Sequence, residues 1–189
     1  MLFRSLLRRP RPVIRVERFS REHVEAFHAL HATAGWCSCV AWWVESWDGW
    51  GRRSAEENHA LRDRLTNDGV FDGYLAMSGD DAVGWCQALP RDRLVKIGRQ
   101  FDLPADAGTW AIGCFFIHPT HRRRGIARHL LTSILDDLPS RGARRVEAYP
   151  KRTAGDSGEL WNGPEALFRA YGFTTAKDDP VRPVLAKDL

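Results

Sequence analysis

Three consecutive arginines followed by a glycine, Arg122-Arg123-Arg124-Gly125, and then Ile126, Ala127 and Arg128, make the densest cationic spot of the chain outside its first residues. At the start of a helix such a spot binds an anion. The first N–H groups of a helix lack internal partners, and the helix dipole places partial positive charge there. A pyrophosphate fits that geometry. Gly125 carries no Cβ, so an oxygen can approach the backbone closely, and Ala127 stays small for the same reason. The arginines add charge-assisted hydrogen bonds. A plain arginine-rich turn at a helix end is the competing interpretation. Two familiar phosphate loops are excluded, because the chain contains neither G-x-G-x-x-G nor G-x-x-x-x-G-K-[ST].

Groups for proton transfer are fewer. Glu147 lies on an expected strand close to that loop's helix, where burial would raise a carboxylate pKa and suit it to act as a base. It could equally face water on the strand. His118, just after an apolar strand, is the second candidate base, or else a turn histidine. Of the four cysteines, Cys114 reads as a buried core thiol, since no histidine neighbours it in sequence. Cys37-x-Cys39 lacks the second pair that zinc sites carry, so no metal is expected. Without an apolar leader, reduced thiols are the default. Five tryptophans, Trp36, Trp42, Trp43, Trp47 and Trp50, crowd one segment. They make either a core lid or a wall, led by Trp36 and Trp43, that stacks an aromatic or cationic acceptor. Asn162, before Gly163-Pro164, either faces the acceptor or caps a helix.

The elements that must position these groups follow from periodicity. Residues 13–19 alternate as a first strand, and Ser20 caps a helix with Val24, Phe27, Leu30 and His31 on one face. His23 stands where a glutamate would complete a capping box. Ser54 caps a helix to about residue 66. Residues 70–77 and 82–89 form a hairpin through Ser78-Gly79-Asp80-Asp81, with Gly79 supplying positive φ. A short helix is expected over 94–99. Residues 109–117 are apolar almost throughout and belong at the centre of a sheet. A helix over about 122–138 carries Ile126, Leu130, Leu131, Ile134, Leu135 and Leu138 in one stripe, and a strand follows at 145–149. That unit is a right-handed βαβ with parallel strands. A helix from Gly163-Pro164 to Ala170 and strands at 173–175 and 181–186 complete the chain. The fold class is α/β, a mixed central sheet of about six to seven strands flanked by helices.

The 189 residues, 43% hydrophobic, suit one domain over 13–189 after a basic tail at 1–12. No apolar run is long enough to span a membrane, and the first residues lack a signal peptide's apolar region, so a cytoplasmic place is expected. The net charge of +4 suits an anionic ligand. Nucleic acid is not an expected partner, because no basic face interleaved with aromatics is present.

With these elements, R-x-x-G-x-A between an apolar strand and an amphipathic helix resembles the acyl-CoA signature of the GNAT acetyltransferase superfamily. Leu167-Phe168-Arg169-Ala170-Tyr171-Gly172-Phe173 resembles its closing helix and G-F turn, and the element order matches from about residue 13 to 189. Trp36-Cys37-Ser38-Cys39 with Trp42 and Trp43 also resembles a little-described bacterial branch. The resemblance implies an acyltransferase moving the acetyl group of acetyl-CoA to a small-molecule or peptide amine, by direct attack in a ternary complex. It implies a β strand that splays from its parallel neighbour, with pantetheine on the backbone of Phe115 and Ile117, beside Phe116, and pyrophosphate on the N–H groups of residues 123–127. A backbone N–H near Ile117 would polarise the acetyl carbonyl. Family members often place a general-acid tyrosine where this chain has Phe168, leaving Tyr171 or Tyr149 as the candidate acid. A non-catalytic acyl-CoA-binding module is the alternative that Phe168 keeps open. The resemblance also admits a homodimer.

Overall fold

The computed structural model describes residues 13–34, 37–152 and 160–189. The expected basic tail at 1–12 and the substrate-wall candidate Trp36 lie outside the described residues.

Seven strands form one sheet in the order β1-β2-β3-β4-β5-β7-β6. They are β1 (Ile14–Arg18), β2 (Tyr74–Ser78), β3 (Asp81–Pro90), β4 (Thr109–Ile117), β5 (Arg145–Ala148), β6 (Thr174–Lys177) and β7 (Val184–Asp188). The β4–β5 pair is parallel and the other five pairs are antiparallel. The helices are α1 (Val24–Ala32), α2 (Trp47–Gly51), α3 (Ala55–Asn67), α4 (Val95–Phe101), α5 (Ile126–Asp137) and α6 (Glu165–Ala170). The mixed sheet flanked by helices is the architecture that the sequence pattern implies.

Local chemistry explains the starts and stops. Ser54 accepts from the Glu57 N–H at 3.2 Å, and Glu57 Oε2 accepts from the Ser54 N–H at 2.7 Å, a complete capping box for α3. At Ser20 the imidazole of His23 replaces that glutamate, with Nδ1 3.2 Å from the Ser20 N–H. Helix α5 begins four residues later than the sequence suggests. Arg123 (φ 60°) and Gly125 (φ 82°) are both left-handed, so the helix cannot start before Ile126.

Helix α5 buries Ile126, Leu130, Leu131 and Ile134 on one face of the sheet, against Ala76, Val83, Ile112 and Val146. The opposite face is covered by α1 and the tryptophan segment, through Phe27, Leu30 and Val40 on Leu75 and Trp85. Leu94, at the cap of α4, and Ile97 and Phe101 within it extend that side against Trp42 and Leu89.

His31 of α1 is nearly enclosed in this second layer, 4% exposed and stacked 3.9 Å from the Phe27 ring. Burial lowers its pKa from 6.5 to about 3, with Arg62, His28 and His59 pushing the same way. Between these two values the unfolded chain binds a proton that the folded chain rejects, so stability falls as the pH drops through that window. Chemical denaturation of His31→Gln should therefore give a flatter dependence of unfolding free energy on pH between about pH 4 and 6. The expected loss of slope approaches that of one proton, about 1.4 kcal/mol per pH unit, and an unchanged slope would refute it.

Candidate functional site

Strand β4 pairs with β5 only from Thr109 to Ile112, opposite Arg145 to Ala148. It then continues to Ile117 along β3 alone. The two parallel strands thus part after Ile112 and leave a splay. The cause lies partly in a bulge. Gln87 faces Cys114 and Ala88 faces Ile112, so Gly113 is an extra residue in β4. A Cβ on Gly113 would stand 2.7 Å from Gln87 Oε1 and 3.1 Å from Trp42 Cδ1, which only glycine avoids. A glycine inside an apolar strand is the sequence signal for such a bulge.

The backbone exposed by the splay finds partners from far along the chain. The Gly113 carbonyl accepts from Trp42 Nε1 at 2.7 Å and from Asn162 Nδ2 at 2.8 Å. The Phe115 N–H donates to the Trp161 carbonyl at 2.6 Å. The His118 N–H donates to Val83 of β3, and strand alternation turns Phe115 and Ile117 the other way, into the splay. Asn162 is fully buried, and its carbonyl oxygen takes a hydrogen bond from Arg182. Both ends of its amide are therefore spent on holding the splay, and it offers nothing to an acceptor. Trp43 is half-buried between two core clusters. Trp42 is a core side chain, 1% exposed. Trp47 lies at the surface over the Lys96 ammonium, 3.7 Å from the ring centroid.

Beside the splay an open groove of about 640 Å³ runs past the start of α5. One wall is Ile117, Arg122, Arg123, Gly125, Ile126, Ala127 and Arg128, and the other is Pro164, Ala166 and Leu167 of the α6 region. Arg124 is exposed next to it, outside the lining. Arg122 Nε donates to the Ile117 carbonyl at 3.2 Å, tying the loop to the end of β4. Gly125 caps α5 with φ 82°, and a Cβ there would meet nothing within 4 Å. The glycine thus serves its backbone angle and leaves the space over the helix start open. The later start of α5 narrows the anion cradle to the N–H groups from Gly125 onward. The groove's second wall comes from the helix that the sequence places from Gly163-Pro164 to Ala170. Phe115 turns its ring inward, 6.0 Å from that of Phe168, and Phe116 lies on the opposite face, 5.6 Å from His31.

Each candidate for proton transfer is engaged by other groups. Glu147 is opposite Ala111, before the splay begins, and is 3% exposed. Its Oε2 is 3.2 Å from Arg91 Nη1 and accepts from the Tyr149 hydroxyl at 2.8 Å, while Oε1 is 3.5 Å from Arg145 Nε. It is one partner of a buried ion pair. Burial and the adjacent carboxylate push the Tyr149 phenol well above its ordinary range, which removes it as an acid. The Tyr171 hydroxyl is bound to α5, 3.0 Å from Thr132 Oγ1 and donating to the Arg128 carbonyl at 3.2 Å. His118 caps a turn, its Nδ1 accepting from the Thr120 N–H at 3.3 Å. Glu147, Tyr149, Tyr171 and His118 are thus each held by a neighbouring group. Phe168 is fully buried where a tyrosine would have presented its hydroxyl.

Comparison with known proteins agrees with this geometry. The sequence model of the acetyltransferase (GNAT) family matches residues 36–155. The GNAT domain of S. lividans PAT is 20% identical, covers 93% of this chain and 90% of its own, and superposes with a TM-score of 0.60. An acetyltransferase from Thermus thermophilus gives 18% identity, 94% and 97% coverage, and a TM-score of 0.58. The PaiA N-acetyltransferase of Thermoplasma acidophilum, solved in complex with coenzyme A, gives 13%, 94%, 99% and 0.57. These identities establish a shared fold. No curated protein matches the sequence.

The position of Glu147 makes a clear prediction. Glu147→Gln removes the buried counter-charge of the Arg91 guanidinium and leaves it only the more exposed Asp92, 3.7 Å from Nε; breaking a buried pair typically costs about 3–5 kcal/mol. In a chain of this size that lowers the thermal midpoint by roughly 6–20 °C. Differential scanning calorimetry should show this drop, and a midpoint within about 2 °C of wild type would mean that the pair is dispensable.

Proposed function

The chain belongs to the acetyltransferase (GNAT) family, and on that premise we propose that it is an N-acetyltransferase carrying an acetyl group from acetyl-CoA to an amine by direct attack. The family uses acetyl-CoA, which supplies the thioester whose acetyl group is transferred. The observation that carries the proposal is the groove at the start of α5. It joins arginines, open helix N–H groups and the end of a splayed strand in one continuous surface. Arg122, Arg123 and Arg128 would hold the pyrophosphate oxygens by charge-assisted hydrogen bonds, together with the first N–H groups of α5. The backbone of Ile117 and Phe115 would bind the pantetheine arm. The Trp161 carbonyl occupies the Phe115 N–H, so an incoming amide exchanges with it rather than filling a vacant donor. A backbone N–H at this level would polarise the acetyl carbonyl, stabilising charge as it develops on the oxygen.

The proton inventory favours a simple route. Neither Phe168 nor the Arg128-bound Tyr171 supplies the thiolate end with a side-chain acid, and a CoA thiolate can take its proton from water. The amine must lose a proton that it holds with a pKa near ~10. With Glu147 locked to Arg91, water is the carrier on that side too. The rate should then rise smoothly with pH up to the acceptor's own pKa, rather than along the limb of an enzyme carboxylate.

Thermal denaturation with and without acetyl-CoA tests the site directly. Ligand at about 100 times its dissociation constant stabilises by ~2.7 kcal/mol, a rise of roughly 5–10 °C here. Gly125→Glu fills the cradle with a carboxylate, and its ligand-induced rise, measured against its own midpoint, should vanish. Thiol release with a panel of amines then reads turnover. No rise in wild type at millimolar acetyl-CoA removes the proposal.

A further inference from the structure

The cysteines have no part in the acyl transfer, yet three of them are gathered at the splay. Cys39 lies at the centre of a row. Its Sγ is 3.2 Å from His31 Nε2 and 3.2 Å from Cys114 Sγ, and Cys37 stands two residues before it in the same tight turn. His31 Nδ1 is 3.0 Å from the Phe27 carbonyl, which only accepts, so Nδ1 carries the ring proton and Nε2 turns its lone pair to Cys39. Among the described residues no cluster of His, Cys, Asp and Glu is arranged to hold a metal ion.

The backbone is shaped to keep this row. Ser38 and Cys39 both adopt left-handed φ, 48° and 56°, which side-chain-bearing residues rarely do in succession. Strain of this kind persists where the surroundings impose it, and here Gln87 Nε2 grips the Cys39 carbonyl at 2.9 Å. Cys39 and Cys114 are buried, whereas Cys37 is partly exposed. Hydrogen bonding to Cys39, through its side chain first and its backbone as well, holds the Cys37 thiol below its ordinary pKa, and the adjoining thiols and burial push Cys39 well above. The partly exposed Cys37 thiol is therefore also the more readily ionised of the two in the turn.

We propose that Cys37, Cys39 and Cys114 form an oxidation relay that consumes a hydroperoxide at Cys37 and stores the oxidation as a Cys39–Cys114 disulfide. The Cys37 thiolate attacks the terminal peroxide oxygen. The O–O bond breaks, leaving a Cys37 sulfenic acid and a hydroxide or alkoxide, which takes up from solvent the proton that Cys37 gave up and departs as water or alcohol. Cys39 Sγ attacks the Cys37 sulfur, and the hydroxide leaves as water with the Cys39 proton, forming a Cys37–Cys39 disulfide. Cys114 Sγ then attacks Cys39 Sγ and releases Cys37 as a thiol carrying the former Cys114 proton. The peroxide gains two electrons, and two thiols are oxidised. The last exchange needs a sulfur movement of about 1 Å, from contact to a bond of ~2.05 Å. The bond would tie the tryptophan segment to the residue next to Gly113.

The test uses the full chain, reduced and then treated with hydrogen peroxide. Remaining thiols are alkylated, and intact mass and peptide mapping follow. The expected product has lost two hydrogens, yields a crosslinked Cys39–Cys114 peptide, and is alkylated at Cys37 and Cys86. Dithiothreitol restores four alkylatable cysteines. Cys37→Ser should slow crosslinking by about tenfold or more, since the remaining thiols are buried. In Cys114→Ser the Cys37–Cys39 disulfide should accumulate. Oxygen added to Cys37 without a crosslink overturns the proposal, as does a Cys37–Cys39 bond persisting in wild type, or an undiminished rate in Cys37→Ser. If a variant fails to fold, the peptide map of peroxide-treated wild type decides alone. No acetyl-CoA is involved, so failure here leaves the acyltransferase proposal untouched.

Discussion

From Gly113 to Ile117 the backbone of β4 has a sheet neighbour on one side only. Buried peptide groups must still be hydrogen-bonded, because an unpaired one costs on the order of 1–3 kcal/mol. Much of the remaining structure answers that requirement. Trp42 reaches the Gly113 carbonyl from a segment 71 positions earlier, and Asn162 reaches it from 49 positions later. The Trp161 carbonyl takes the Phe115 N–H. Arg182 in turn binds the Asn162 amide and the Tyr149 carbonyl. The tryptophan segment and residues 160–163 are held where they are by donors and acceptors that a regular sheet would have used itself.

The same split separates two kinds of charge. On the α4 side, before the strands part, Arg91 and Glu147 are paired in a dry environment with the Tyr149 hydroxyl and the Pro104 carbonyl as further partners. Desolvating both ions is tolerable only with such complete partnering. On the α5 side the arginines of the loop stand in solvent around an open helix start. They stay hydrated until an anion replaces water. A buried carboxylate near a cleft invites assignment as a general base, but here its partners show that it is holding the sheet. Structural ion pairs and catalytic carboxylates share the property of burial, and only the identity of the neighbours separates them.

The thiol row depends on the bulge as well. The extra residue at Gly113 changes the alternation of β4, so that Cys114 points into the α1 layer while Ile112, two positions earlier, points to α5. Without that shift Cys114 would face α5 and could not approach Cys39. The tight Cys37-Ser38-Cys39 turn supplies the other half of the contact.

The elements and the anion loop are written in short stretches of residues. Strand β4 is legible from its unbroken apolarity, α5 from its single stripe, the β2–β3 turn from Gly79, and α3 from Ser54 and Glu57. Each rests on residues within a few positions of one another, where propensity, capping and periodicity act. Gly125 is legible as a special residue for the same reason, although its left-handed angle, rather than closeness to a ligand, is what requires glycine. Which polar groups remain available is a matter of long-range packing. Glu147 meets Arg91 across 56 positions, Tyr171 meets Thr132 across 39, and Cys39 meets Cys114 across 75. Nothing local in the sequence encodes these pairings. They follow from which strand lies beside which and from the one-residue bulge that sets the facing of β4, and so the chemistry of each side chain is fixed only when the sheet is complete.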